Sequence, residues 1–212
     1  MNIIKPQKIL VSNLTKTKNL LEEIKDDEIA NYYVEKNIEE NIDIYDISIK
    51  NTIMDDVEIL NGKLEKNSFT DVRFNNCNFS NTSFENCSFI RCEFDNCKLT
   101  GCNFSGSRMY NVSFKEVNMN YINLAMASIE RVLFNNDLLR NSIFQDNKIK
   151  NIEFIKSDLT QAQFFHTKLK DIDLSDSIIE GIAVSIDDIK GAIINQFQAT
   201  DLLYLLGVKL KE

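Results

Sequence analysis

The sequence is poor in the residues that usually make turns or do chemistry. Its 212 residues include six glycines, one proline, one histidine and no tryptophan. A single imidazole cannot furnish a His-Glu-x-x-His zinc site or a Ser-His-Asp set, and there is no glycine-rich phosphate loop, so neither an enzyme nor a cofactor is expected. No apolar run approaches the 18 or more residues of a membrane span, and the opening Met1-Asn2-Ile3-Ile4-Lys5-Pro6 lacks the apolar middle of a secretion signal. The expectation is a cytoplasmic protein with no membrane partner. Positive charge is short as well: 24 Lys plus Arg face 32 Asp plus Glu, a formal −8 that repels phosphate backbones and argues against direct nucleic-acid binding. An apolar share of 43% suits one globular domain or two small ones.

What the chain does have is a period of five. From Ile44 to Ile179 every fifth residue is large and apolar, 28 positions of 28, and twelve of the fourteen phenylalanines stand on it, including Phe69, Phe74, Phe79, Phe84, Phe89 and Phe94 in succession. Two residues before each of these centres lies a smaller inward position, occupied for example by Thr52, Val72, Cys77, Thr82, Ser107, Ala127 and Ser157. Five matches neither the helical 3.6 nor the strand 2.0. It fits a chain that turns a corner every five residues, so that four repeats close a square coil of twenty and each centre stacks on the residue twenty away. Alternating large and small side chains then fill a narrow interior at crystal-like density. Two residues after the centre, asparagine recurs at 51, 61, 76, 81, 86, 96, 111, 136, 141 and 151. It tolerates left-handed backbone and bonds its own neighbourhood, which accounts for corners with so little glycine. Seven coils at about 4.8 Å each predict a rod of about 33 Å.

Segments such as Cys77-Asn78-Phe79-Ser80-Asn81 and Ser157-Asp158-Leu159-Thr160-Gln161 resemble the pentapeptide-repeat family, whose consensus is a small residue, Asp or Asn, Leu or Phe, and two polar residues. The resemblance implies an all-β solenoid, a right-handed quadrilateral β-helix.

A solenoid exposes an apolar cross-section at each end, and something must cover it. Residues 1–43 read as an N-terminal cap, 44–184 as the repeat solenoid, and 185–212 as a C-terminal cap and dimerisation helix. Thr17 is placed to cap a helix presenting Leu20, Leu21 and Ile24 on one face. Ser185 with Asp188 resembles a capping box, and Asn195 with Gln198 starts a longer helix ending at Gly207. In that helix Phe197, Leu202, Leu203 and Leu206 share helical spacing, yet Tyr204 and Leu205 lie on its other sides. One face covers the coil, and the other is read as a two-fold homodimer contact; a helix buried wholly within its monomer is the alternative. Gln196-Phe197-Gln198-Ala199 and Leu205-Leu206-Gly207-Val208 also resemble the ending of the Qnr- and MfpA-type members linked to fluoroquinolone resistance. That resemblance implies dimers that present a negatively charged rod of duplex width to DNA gyrase or topoisomerase IV.

Single residues weigh towards packing. Cys77, Cys87, Cys92, Cys97 and Cys102 all occupy small inward positions; the closest have four residues between them but point inward from different walls with no histidine nearby, so buried thiols are expected, not a metal or a disulfide. His166 falls on an outward corner. Asp137 sits inward between Val117 and Ser157, and a buried carboxylate there needs Ser157 or backbone N–H partners. Asn67 and Asn147 share a stack and call for similar partners.

Sorting the outward residues by wall gives a two-sided molecule. One wall carries Asp55, Asp56, Glu93, Asp95, Glu116, Glu153, Asp173 and Asp176 with few compensating bases; its neighbour carries Arg91, Arg108, Arg131, Lys148, Lys150, Lys168 and Lys170. Two functions follow: DNA mimicry by the acidic wall against a type II topoisomerase, or a generic protein-interaction scaffold using Leu133, Ile143, Ile155 and Phe165. Polyanion binding by the basic wall ranks third.

Overall fold

The computed structural model describes residues 3–5, 9 and 11–208. Its backbone obeys the five-residue rule at the corners. At every fifth position from Asn31 to Asp171 the φ angle is positive, between 45° and 69°. Each such residue makes one left-handed step between extended neighbours, and the step turns the chain. Asn or Asp fills most of these sites because a short polar side chain makes that conformation less costly. At Gly101 and Gly106 the absence of a side chain has a further cause: a Cβ would run into the side-chain oxygens of Asn81 and Asn86 one coil below.

The strands are β1 (Thr15–Thr17), β2 (Glu28–Ala30), β3 (Tyr32–Glu35), β4 (Ile38–Glu40), β5 (Ser48–Asp55), β6 (Glu58–Leu60), β7 (Ser68–Asn75), β8 (Ser88–Asp95), β9 (Arg108–Lys115), β10 (Ser128–Asn135) and β11 (Lys148–Ile155). They pair in parallel in the order β1-β3-β5-β7-β8-β9-β10-β11, with β2 also on β5 and β4 on β6. Partners in the long strands are twenty residues apart, as in Phe69 opposite Phe89 and Phe74 opposite Phe94. Each eight-residue strand crosses two walls and bends at the corner between them. The other two walls are held by single bridges, such as Asn78 with Lys98 and Ser83 with Asn103. The result is a parallel quadrilateral β-solenoid. Below, the first wall is that of Phe84 and Phe104, the second that of Phe89 and Met109, the third that of Phe94 and Phe114, and the fourth that of Phe79 and Leu99.

The core is one continuous column. Phe84 lies over Phe104 with ring centroids 4.8 Å apart and planes at 23°. Phe74 stacks on Phe94 at 4.3 Å, and Phe114 on Phe134 at 5.2 Å. The coil repeat imposes this face-to-face stacking, while rings on adjacent walls of one coil meet edge-on, as Phe79 and Phe84 do at 87°.

Where Ser, Thr or Cys fills the small inward position, it has a second duty beyond its size. Its side chain lies over the preceding coil and donates to the carbonyl of the centre residue there. Thr82 Oγ1 donates to Ile59 O at 2.7 Å, Cys87 Sγ to Leu64 O at 2.8 Å, Cys102 Sγ to Phe79 O at 2.8 Å and Ser107 Oγ to Phe84 O at 2.8 Å. Hydroxyls and thiols therefore serve centre carbonyls that the ladder does not use, although Phe79 O and Phe84 O also accept a turn N–H from Thr82 and Cys87.

The ends depart from expectation. Coil stacking begins before residue 44: β2 and β3 already pair with β5, and Ile29 and Val34 are fully buried. The predicted helix after Thr17 is a single 3-10 turn, Leu21–Glu23, followed by strand, because Leu20 and Ile29 are taken into the solenoid column. At the other end Ser185 caps α1 (Ile186–Ile189), accepting from the Asp188 N–H. Asn195 Oδ1 accepts from the N–H of Phe197 and of Gln198, while Gln198 Oε1 accepts from Asn195 N–H at 2.8 Å. The long helix predicted from there is instead α2 (Gln198–Asp201) and a 3-10 turn over Leu203–Leu206, closed by Gly207 at φ 68°.

Candidate protein-interaction surface

The third wall and the corner beyond it hold all eight predicted acidic residues. Asp55, Glu93, Asp95, Glu153 and Asp173 stand on the wall itself; Asp56, Glu116 and Asp176 are exposed on the corner leading to the fourth wall. The middle of the wall is more nearly neutral than the sequence implies. Arg73 Nε donates to Glu93 Oε2 at 3.0 Å, and Lys115 reaches Asp95 at 3.5 Å and Glu116 at 3.9 Å. Asp55 accepts from the Tyr33 hydroxyl at 2.7 Å, and this hydrogen bond, with burial, pushes the Tyr33 phenol up to about 12. Asp56 and Asp176 make no ion pair among the described residues. Asp173 is held below the ordinary carboxylate range by the Ser175 hydroxyl and N–H. Counting acids along a wall missed Arg73, although the twenty-residue register places it opposite Glu93.

On the second wall, Arg91 binds Asp71 through Nε at 2.7 Å and Nη2 at 2.6 Å, a two-pronged pair that keeps it off the surface. Lys150 meets Glu130 at 3.3 Å, Lys168 meets Asp188 at 2.9 Å, and Arg131 lies over the Tyr110 ring. Arg108, Lys148 and Lys170 have no ion pair among the described residues.

Asp137 is buried, and its partners are backbone groups. Val117 N–H donates to Oδ1 at 2.8 Å and Asn135 N–H to Oδ2 at 2.9 Å, while Ser157 Oγ accepts from Asp137's own N–H. Burial raises its carboxyl to about 7 against the pull of those two N–H groups. Asn67 uses both ends of its amide, accepting from Ile47 N–H and donating to Ile44 O. Asn147 accepts from Ala127 N–H, but its Nδ2 is buried without a partner. The five cysteines are free and buried, with Cys87, Cys92 and Cys102 pushed up to about 12 by desolvation. His166 is on its corner, with Nδ1 2.9 Å from Asp146. Among the described residues no group of three His, Cys, Asp or Glu is placed to hold a metal, and no helix is long and apolar enough to cross a membrane.

The exposed apolar side chains only partly match the predicted set. Phe165 is exposed, but Leu133, Ile143 and Ile155 are half-buried. Tyr121 and Met126, which the pattern did not single out, are 63% and 67% exposed at left-handed corners on either side of the first wall. At the C-terminal tip, Leu202 and Leu205 pack inward, and Tyr204 donates its hydroxyl to Ile182 O at 2.6 Å. Leu203 is half-buried, while Phe197 and Leu206 point to solvent at 77% and 68% exposure.

Comparison with known proteins agrees with this geometry. Residues 67–142 and 87–164 match the family described as a pentapeptide repeat region. A trypsin-treated variant of QnrB1, a plasmid-mediated fluoroquinolone resistance protein, is 17% identical, with 87% of this chain and 99% of that one aligned at a TM-score of 0.51. HetL, a pentapeptide repeat protein involved in heterocyst differentiation regulation from the cyanobacterium Nostoc, is 10% identical, with 79% and 91% aligned at 0.37. No curated protein sequence matches the chain. The period of five, the four-walled coil it builds and the matched repeat region lead to one assignment: the chain has the pentapeptide-repeat β-helix fold, and residues 67–164 are a pentapeptide repeat region.

Proposed function

We propose that this protein acts without catalysis, as a rod that docks on a type II topoisomerase such as DNA gyrase or topoisomerase IV through its acidic edge and modulates that enzyme or its fluoroquinolone sensitivity. The observation that carries this reading is the line of exposed carboxylates, Asp56, Glu116 and Asp176, along one straight corner of a solenoid. These three stand sixty residues apart in sequence, hence three coils or about 14 Å apart along the axis. A basic saddle shaped for duplex DNA presents complementary charge to such an edge, and affinity would fall steeply with salt. The likeness to a fluoroquinolone resistance protein supports the same reading. Exposed Phe197 and Leu206 favour a homodimer joined at the C-terminal tip, which would double the length of the rod. Five buried free thiols fit a reducing compartment such as the cytoplasm.

Gyrase supercoiling, measured with and without a fluoroquinolone, tests the reading. Micromolar protein should inhibit supercoiling or relieve the drug, and Asp56→Lys/Glu116→Lys/Asp176→Lys should abolish the effect. No effect of the wild-type protein rejects topoisomerase docking. A second reading, a scaffold for another protein, is favoured by Tyr121 and Met126: bulky side chains held exposed on left-handed backbone bring no internal gain in packing.

A further inference from the structure

The third wall is already occupied in part. Residues 3–5 lie on it, far from the coils they precede in sequence. Ile4 N–H donates to Asn111 Oδ1 at 3.2 Å across 107 residues of sequence, and Lys5 Nζ is 3.6 Å from Glu93 Oε1. Seated there, Ile3 and Lys5 border an open cleft of about 500 Å³ that continues along the wall past Glu93, Asp95, Lys115, Leu133 and Glu153. Asn111 is 1% exposed, and its Nδ2 is buried without a partner, so the corner under Ile4 is polar and closed off from water.

The chemistry of the segment matches this face. Residues 1–9 read Met-Asn-Ile-Ile-Lys-Pro-Gln-Lys-Ile, with two cations and no acid, and Pro6 disfavours helix at Lys5. The face offers Glu93, already shared with Arg73, Asp95, already shared with Lys115, and Leu133, which suits an extended peptide whose basic side chain joins these carboxylates and whose apolar ones lie on Leu133. We propose that the third wall is a docking face for such a peptide and that the chain's own N-terminal segment, seated through Ile4 and Lys5, is its resident occupant. Lys5 is 80% exposed, so its pairing with Glu93 adds little, and the segment is held weakly enough to be displaced. A partner that uses Glu93 and Asp95 must first lift it off. This last consequence rests on the topoisomerase reading; the docking itself does not.

The test uses the full chain and a fluorescent peptide of residues 1–9 added in trans. Ile4→Pro/Lys5→Glu removes the N–H donor and reverses the charge of the resident segment while leaving the residues of the third wall unchanged. Anisotropy titration should show this variant binding the peptide at least tenfold more tightly than wild type, less so as salt rises. Adding Glu93→Lys to it, or Asn111→Gly, which keeps the positive φ, should return binding to the wild-type level. Equal affinity of wild type and the segment variant, absence of binding by both, or indifference to both of these substitutions would overturn the proposal. If peptide binding behaves as expected but the segment variant is no more potent than wild type on gyrase, docking stands and the topoisomerase reading fails.

Discussion

At the scale of single residues, the inward site two before each centre is defined by a volume, and where Ser, Thr or Cys fills it, it also supplies a donor. Ser107 Oγ satisfies Phe84 O, whereas Ser142 Oγ, equally buried, has no partner. Ser107→Ala should therefore lower stability by about 1 kcal/mol and Ser142→Ala by close to nothing, read from urea midpoints at constant slope. Asp137 supplies a pH dependence. Its carboxyl titrates at about 7 in the fold and near its ordinary 3.8 when unfolded, so the folded state binds the extra proton between those values. The stability this proton confers is full below about pH 4 and is lost as pH rises through 7. Asp137→Asn, which could bond as Asn67 does, should stabilise the protein by roughly 1–3 kcal/mol at pH 8, with the gain shrinking towards pH 4. A constant difference across that range would refute the assignment. The size of the inward residue was legible in the sequence, because Cys, Ser, Thr, Val and Ala share it. The donor role was not, since the carbonyl it serves belongs to the coil below, 23 residues earlier.

At the scale of the coil, centres and corners were both readable: a run of large apolar residues at strict period five allows few other ways to bury them all, and asparagine at the following corner names the left-handed step. Reading failed where the pattern carries a polar residue. Glu39 breaks the row of centres and hides the coils before it, although Asn31, Lys36 and Asn41 take the same corner conformation as their counterparts downstream. The helical spacing after Thr17 was overridden because burying Leu20 and Ile29 in the column outweighs the weak propensity of a short helix. Corners also differ in strain. Tyr121 holds φ 61° with its ring exposed, so Tyr121→Asn should raise the melting temperature, by about 1 kcal/mol in stability. A lower melting temperature would mean that the ring contributes packing not evident from its exposure.

At the scale of the whole molecule, charge and tip decide what it can meet. The acidic wall was recognisable in the sequence, and the twenty-residue register already stacks Arg73 on Glu93 and Lys115 on Asp95; Lys5 on Glu93 was not recognisable, because that contact joins residues 88 apart outside the register. The apolar tip was recognisable, and Phe197→Asp/Leu206→Asp should give a monomer by light scattering where the wild type gives a dimer; a wild-type monomer would remove the tip contact. The twenty-residue register has an evolutionary and engineering corollary. Coordinated repeats this regular make length a counted quantity: excision of residues 88–107 should splice one coil's end onto an equivalent position and leave a folded protein about 4.8 Å shorter, whereas loss of two or three residues from the same stretch would rotate every following side chain off its face. Such a lineage can lengthen or shorten only in whole storeys.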